Sequence, residues 1–210
     1  MKLRFSGIRA IGGLSLKLLL KLLGCLVMAV GLGLGSAWWF IETGLGGGVR
    51  NGAWGTNPAI GGTDADPYTR AAVARAGLLA LNKSETAYFT ASVDDQGDAL
   101  STACTYRLDG RPLATRWWSI TAYGADHYLI PNPAKQYSQA MNSVTTQADG
   151  GFRITVGPNA TGKDAIATGY SGAGDGDAFS LTLRLYNPAS LVYENLASVS
   201  LPRITKEGCQ

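Results

Sequence analysis

An apolar run near the N-terminus constrains this chain more than any other feature. The run extends from Leu22 to Ile41, reads LLGCLVMAVGLGLGSAWWFI and contains no charged residue. Twenty residues of α-helix are about 30 Å long, which matches the hydrocarbon core of a lipid bilayer. Trp38 and Trp39 lie near its end, and tryptophan favours the membrane–water interface. We therefore predict a transmembrane anchor at residues 22–41.

The basic residues predict how this anchor is oriented. Those that precede the run are Lys2, Arg4, Arg9, Lys17 and Lys21. In the twenty residues after it, Arg50 is the only one. Because Lys and Arg beside a spanning segment stay on the cytoplasmic side, residues 1–21 are predicted to be a basic cytoplasmic tail. The rest of the chain would then lie in the periplasm or outside the cell.

Two alternative interpretations of the N-terminus remain open. A secretory signal peptide could be cleaved after Ala37, with the small residue Gly35 at the position that a signal peptidase requires. A lipoprotein signal would end at Cys25, but Lys17 and Lys21 interrupt the stretch before that cysteine. The apolar run is long for a signal peptide, so an uncleaved anchor is the favoured interpretation.

The charges change sign along the chain. All 15 Asp and Glu follow the apolar run together with 13 of the 18 Lys and Arg, so this part carries about −2 while the whole chain carries +3. A nucleic-acid-binding surface needs a concentrated positive charge, which this distribution does not provide. We therefore predict no nucleic-acid partner.

The cysteines agree with an external location. Cys25 lies in the apolar run, which leaves Cys104 and Cys209 as one candidate pair. Disulfides persist in oxidising compartments, and closing a loop of about a hundred residues would contribute roughly 4 kcal/mol in the chain-entropy model. Two unpaired thiols are the alternative.

A glycine-rich segment at residues 42–65 is predicted to be a linker, because it shows no periodicity. Its large apolar residue, Trp54, would dock on the following domain or on the membrane surface. A short helix is predicted from Pro67 to Leu81, with Asp66 as N-cap and Pro67 in the first turn.

After this helix the apolar residues alternate, which is typical of β-strands. A hairpin turn is predicted at Asp109-Gly110. The predicted strands are Thr86–Val93, Thr102–Leu108, Gly151–Val156, Ala178–Tyr186 and Leu196–Leu201. Short strands between Gly- and Pro-rich turns predict a mainly β domain at residues 66–210, an antiparallel sandwich or jelly roll with one short helix.

The segment RWWSITAYGADHYLIPNP, residues 116–133, combines a strand with a turn. Side chains alternate between the faces of a strand, so Trp118, Ile120 and Ala122 are predicted to face the core. Trp117 and Tyr123 would share the opposite face with Ser119 and Thr121 and could line a groove. Residues 124–126 would form a turn, and residues 128–130 a return strand that Pro131 ends.

Four segments together resemble a known family. CTYRLDG, ATRWWSITAYGADHYLIPNP, DGGFRITVG and FSLTLRLYNP are similar to the domain of unknown function 1214 over about residues 84–209. The resemblance is to the small membrane-anchored form without the companion N-terminal domain of larger relatives. It implies a jelly-roll-like sandwich and no settled activity. The segment ATGYSGAGDGDAF departs from the family pattern.

Few residues suggest catalysis or metal binding. The single histidine, His127, has no His or Cys at metal-ligand spacing, and its place beside Asp126 indicates an exposed turn. A calcium ion held by Asp175 and Asp177 is a weak alternative to a solvated turn. No G-x-S-x-G motif occurs. We predict no metal and no cofactor.

Three hypotheses about function remain. The favoured one is a non-enzymatic envelope module that binds a glycan or a protein; its candidate ligand-binding residues are Trp117, Tyr123, Tyr128, Arg116 and His127. The alternatives are a purely structural envelope protein, in which these aromatic side chains would be buried, and an envelope-acting hydrolase. Arg116, Arg153 and Arg184 lie on predicted strands, where an arginine would pair with a carboxylate or face water; binding of an anionic ligand is the alternative.

Overall fold

The computed structural model describes residues 15–42, 48–170 and 176–210. The helices are α1 (Leu16–Glu42), α2 (Pro67–Arg75), α3 (Ser190–Glu194) and a 3-10 helix at Leu196–Ser198. The strands are β1 (Val49–Asn51), β2 (Trp54–Thr56), β3 (Thr86–Ala91), β4 (Cys104–Gly110), β5 (Thr115–Gly124), β6 (Ser138–Ala140), β7 (Phe152–Gly157), β8 (Ala165–Ala167), β9 (Phe179–Pro188) and β10 (Arg203–Cys209).

The N-terminal apolar segment forms one helix that is long enough to cross a membrane. Residues Leu16–Phe40 of α1 have a mean hydropathy of 2.2, and their side chains are not buried against the rest of the protein. The helix begins at Leu16, before the predicted start at Leu22, and includes Lys17 and Lys21. Both lysines are compatible with a helix near a membrane surface, where a long side chain can reach the headgroups.

The strands form two sheets, which confirms the mainly β fold. The larger sheet has the order β1-β2-β3-β9-β5-β6 and the smaller one has the order β10-β4-β7-β8. Every pair is antiparallel except β7 and β8, which run parallel. The jelly-roll connectivity stays a prediction.

The core lies between the two sheets. Alternation along β5 buries Trp118, Ile120 and Ala122, as the sequence predicted. Trp118 of the larger sheet stacks on Phe152 of the smaller one, with ring centroids 4.2 Å apart. This contact helps to fix how the sheets pack, because buried aromatic rings contribute large apolar areas and prefer specific geometries.

Gln139 of β6 links one edge of the larger sheet to the smaller sheet. Its side chain is only 1% exposed, and its Nε2 donates to the carbonyl oxygens of Lys163 and Ala165, each at 2.8 Å. The amide thus ties β6 to the outer edge of β8, where the Lys163 carbonyl also accepts from Gln136 Nε2 at 3.2 Å.

The predicted hairpin at Asp109-Gly110 is wrong. β4 pairs with β10 and β7, whereas β5 pairs with β9 and β6, so the two strands belong to different sheets. Gly110 remains in β4, where it pairs with Phe152. The chain crosses between the sheets through residues 111–114.

The predicted return strand at residues 128–130 is reduced to one bridge, between Tyr123 and Leu129. The Tyr128 N–H donates to Asp126 Oδ1 at 3.0 Å, so the backbone is held in a local turn. The strand that extends the sheet beyond β5 is β6, which the sequence analysis missed.

The predicted strand at Leu196–Leu201 is also wrong. A 3-10 helix occupies Leu196–Ser198, and Asn195 caps it by accepting the Ala197 N–H. Asn and Asp side chains compete with sheet formation in this way. The sequence analysis missed β10, β8 and α3.

Part of the predicted linker belongs to the sheet. Within residues 42–65, β1 and β2 form a hairpin that pairs with β3. Trp54 is 1% exposed and its Nε1 donates to the Pro202 carbonyl at 2.7 Å. It therefore docks on the domain. Residues 43–47 lie outside the described residues.

Helix α2 begins where predicted and ends earlier. Asp66 accepts hydrogen bonds from the N–H groups of Tyr68 and Thr69. At the other end, the Gly77 N–H donates to the Ala74 carbonyl and the Leu78 N–H to the Val73 carbonyl. This pair of bonds is a Schellman motif with glycine in the left-handed conformation (φ 59°), and it ends the helix before Leu81.

The predicted disulfide is present. Cys104 of β4 and Cys209 of β10 are bonded and lie opposite each other in the sheet register, 105 residues apart in sequence. Cys25 is a free, exposed thiol on α1.

Candidate functional site

The outer face of the larger sheet carries a set of polar and aromatic side chains at its centre. Inner residues of β5 and β9 enter the core, so their alternate neighbours point outward. The register places Trp117 opposite Tyr186 and Ser119 opposite Arg184. We call Trp117, Tyr123, Arg184 and Tyr186 the outer patch.

The indole of Trp117 is held in place but not covered. It packs against Tyr186 with ring centroids 5.1 Å apart, and its Nε1 is 3.4 Å from Asn142 Oδ1. The residue remains 36% exposed. The ring face is therefore accessible to a ligand, contrary to what the structural hypothesis requires.

Arg184 contributes a positive charge to the outer patch. Its Nη2 donates to the Tyr123 hydroxyl at 2.9 Å, and its guanidinium carbon lies 5.6 Å from the Tyr123 ring centroid, a cation–π distance. Nη1 also lies 3.4 Å from Thr121 Oγ1. Within residues 15–42, 48–170 and 176–210, no carboxylate forms an ion pair with Arg184. Its charge is therefore not neutralised by a carboxylate of the described residues.

One side of the outer patch is closed. Tyr88 of β3 lies opposite Arg184 and is 4% exposed, because Ile60, Leu78 and neighbouring side chains cover it. The Tyr88 hydroxyl accepts the Leu81 N–H at 2.8 Å. Ser119 and Thr121, which face outward between Trp117 and Tyr123, are also buried, so the patch is accessible mainly at these two aromatic residues. Trp117 and Tyr123 are six residues apart on β5, about 20 Å at the usual rise.

The structure brings together only some of the predicted ligand-binding residues. Trp117 and Tyr123 share the outer face. Arg116 is exposed at the start of β5, but its position in the alternation puts it on the other face of the strand from Trp117 and Tyr123. His127 and Tyr128, the latter 75% exposed, lie on the turn after β5. In the described chain no side-chain hydrogen bond, ion pair or ring contact joins these three to Trp117 or Tyr123.

Tyr186 was missed as a site residue, and Arg184 was noted only as a strand arginine. Both were detectable in FSLTLRLYNP, where Leu181, Leu183 and Leu185 alternate with Thr182, Arg184 and Tyr186. Such alternation places the polar set on one face.

Three carboxyl groups of the described residues have a lowered pKa. A hydrogen bond from Lys83 lowers the pKa of Asp64, and one from Thr69 lowers the pKa of Asp66. Burial raises the pKa of Asp109, but hydrogen bonds and charge from Arg107 and Arg153 outweigh it, so the net pKa is lowered. A general acid needs the opposite shift.

Metal ligands do not converge in the described ranges, where no group of three His, Cys, Asp or Glu could hold an ion. The calcium alternative involves Asp175, which lies outside the described residues. Asp177 is exposed, and its backbone N–H donates to Thr102 Oγ1 at 2.8 Å.

The two packed sheets define a β-sandwich, which an apolar N-terminal helix precedes and which carries the outer patch on its larger sheet. Residues 85–190 match the family described as Protein of unknown function (DUF1214). Since this match covers half of the chain, the protein belongs to the DUF1214 family, as its sequence segments indicated. No curated protein matches the chain.

Two solved structures are similar to this chain. The VPA0106 protein from Vibrio parahaemolyticus has 20% sequence identity and a TM-score of 0.54; the match covers 69% of this chain and 36% of that one. An uncharacterized protein from Burkholderia cenocepacia has 14% identity and a TM-score of 0.39, with 60% and 30% coverage. The chain thus spans about a third of the length of these proteins. The first likeness shows a shared fold and nothing further.

Proposed function

We propose that this protein is a membrane-anchored module of the cell envelope that binds an anionic glycan on its outer patch. The observation that carries the proposal is Arg184, a half-buried arginine without an ion-pair partner among the described residues, on the same face of the sheet as the exposed indole of Trp117. Aromatic faces pack against the apolar faces of sugar rings, and a guanidinium pairs with carboxylate or phosphate oxygens.

The location rests on separate features. The apolar helix α1 would anchor the protein with its basic N-terminus in the cytoplasm and the sandwich in the periplasm or outside the cell. The disulfide between Cys104 and Cys209 supports an oxidising compartment for the sandwich.

Binding can be tested with an array of acidic and neutral envelope polysaccharides. Trp117→Ala is expected to weaken binding to an acidic glycan by about tenfold, the loss that about 1.4 kcal/mol of contact energy gives. Trp117→Phe, which keeps an aromatic face, should retain most of it. Arg184→Gln should weaken binding to acidic glycans only, whereas Arg203→Gln, an exposed arginine of the smaller sheet, should not. Equal binding by Trp117→Ala and the parent would exclude the outer patch as the binding site. Selective binding to a protein would show that the ligand is a protein and not a glycan.

The orientation has its own test. A tag after Gln210 should be accessible to protease from outside the inner membrane. A tag accessible only from the cytosol would contradict the envelope location. The mass of the mature protein would separate an uncleaved anchor from cleavage after Ala37.

A further inference from the structure

An open, apolar cleft lies beside helix α2, next to the side chains that close one side of the outer patch. Its volume is about 390 Å³, and most of its lining is apolar or glycine, including Ala59, Val73, Ala74 and Leu79. Leu79, one of the lining residues, is itself exposed to solvent.

Helix α2 lies at the end of α1. Phe40 and Tyr68 have ring centroids 5.2 Å apart, and the Arg75 guanidinium lies 5.7 Å above the Trp38 ring. Trp38 is inside the stretch that can span a membrane, two residues before its last residue, Phe40. In a spanning helix Trp38 would be at headgroup level, and the α2 residue stacked on it must be there too.

Chain length supports the same placement. Six residues lie between Glu42 of α1 and Val49 of β1, so even a fully extended chain would span only about 25 Å over these seven Cα–Cα steps. The sandwich is therefore confined close to the bilayer surface.

Leu79 is the most unusual residue of this region. It is 90% exposed and has φ 46°, the left-handed conformation that a leucine adopts at a cost. It follows Arg75 by four residues, so the Cα atoms of the two residues are at most about 14 Å apart. Leu81, close by in sequence, is 45% exposed. A strained turn thus presents two leucines where lipid is near.

We propose that Leu79, Leu81 and the rim of the cleft insert into the outer leaflet, with a phospholipid acyl chain occupying the cleft. The insertion is apolar: Arg70, at the cleft, uses its Nε and Nη2 to donate to the carbonyls of Ala65 and Thr63. The sandwich therefore has a second membrane contact, which holds it in one orientation above the bilayer. This inference rests on the proposed membrane anchor.

Spin labels on the full chain in phosphatidylcholine nanodiscs test the inference. In a Cys25→Ala background, labels at Leu79→Cys and Leu81→Cys should shift toward the oxygen accessibility of a label at Leu26→Cys, which is inside the span. The matched control is a label at Leu129→Cys. Leu129 has the same 45% exposure as Leu81 but lies after the C-terminal end of β5, so its label should stay accessible to a water-soluble nickel chelate.

The outcomes separate the inference from the anchor. If the Leu26 label lies in lipid while the Leu79 and Leu81 labels match the Leu129 label, the second contact is excluded and the anchor stands. If the Leu26 label is itself in water, both fail. Lipid exposure at Leu79 and Leu81, unchanged when anionic lipid is added, supports apolar insertion.

Discussion

Gly110 lies in the interior of β4, and the ring of Phe152 on the neighbouring strand β7 covers it. A Cβ at this position would overlap the ring atoms of Phe152. The same ring stacks on Trp118 of the other sheet, so it cannot shift without disturbing the core. The glycine that the sequence suggested for a turn is required for packing instead.

We expect Gly110→Ala to lower the free energy of unfolding of the sandwich by about 1–3 kcal/mol, the usual cost of overpacking. Denaturant titration of the full chain in detergent, followed by near-ultraviolet circular dichroism, would measure it. Gly208→Ala is the matched control, because an added Cβ on β10 meets no atom within 4 Å. Equal effects of the two substitutions would contradict the packing explanation.

At the residue scale, alternation predicted well which side chains enter the core. Trp118, Ile120 and Ala122 are buried because every second residue of a strand faces the same side. The outer patch was predictable only in part. Trp117 meets Tyr186 because β5 pairs with β9 in one particular register, and no local pattern specifies a pairing across about seventy residues.

At the scale of the secondary-structure elements, an ion-pair network joins the strands of the smaller sheet on its outer face. Asp109 of β4 accepts from Arg107 Nε at 2.8 Å and from Arg153 Nε of β7 at 2.7 Å. Arg107 Nη1 also contacts Glu207 of β10 at 2.7 Å. The network joins three neighbouring strands around one carboxylate whose pKa is lowered.

The pH dependence of this contribution has a definite sign. A lowered pKa in the folded state means that the ionised network stabilises the sandwich above the unfolded pKa of about 4. The contribution is lost as the pH falls through the lower, folded-state value. Because about a third of the Asp109 side chain is exposed, we expect at most about 1 kcal/mol.

Asp109→Asn should therefore be less stable than the parent at pH 7, and the difference should shrink below pH 4. Denaturation midpoints across this pH range would show it. Asp177→Asn is the control, since its exposed side chain makes no hydrogen bond in the described chain. A stability gap that widens on acidification would contradict the sign.

Elements with complete local signals were predicted, and elements that depend on distant partners were not. Asp66 and Pro67 gave the start of α2, and Gly77 carried the signal for its end. Three-residue strands such as β8 are stable only through neighbouring strands, so their sequence has no period to detect. The Asp109-Gly110 pair failed as a turn signal because ion pairs and the Phe152 ring hold it in a strand.

For the whole molecule, the disulfide is the strongest single covalent constraint. It closes a loop of 105 residues that contains most of the sandwich. The chain-entropy model attributes its effect to fewer conformations of the unfolded chain, and the contribution is typically 2–5 kcal/mol.

We expect the double variant Cys104→Ala, Cys209→Ala to lose about 2–5 kcal/mol of unfolding free energy. A reducing agent should give a loss of similar size in the parent and none in the variant. Cys25→Ala, which alters the free thiol of α1, should leave the denaturation midpoint unchanged. If reduction leaves the parent unaffected, the bond does not form in the protein.

Strand β9 occupies the middle of the larger sheet, between β3 and β5, although it begins only at Phe179. Until the ribosome has made this segment, β3 and β5 lack the strand that lies between them. The larger sheet cannot form before that point. Such dependence on distant pairing delays folding. The chain would therefore stay unfolded, and able to pass through a translocation channel, for most of its synthesis. Any truncation before Pro188 should yield no native sandwich.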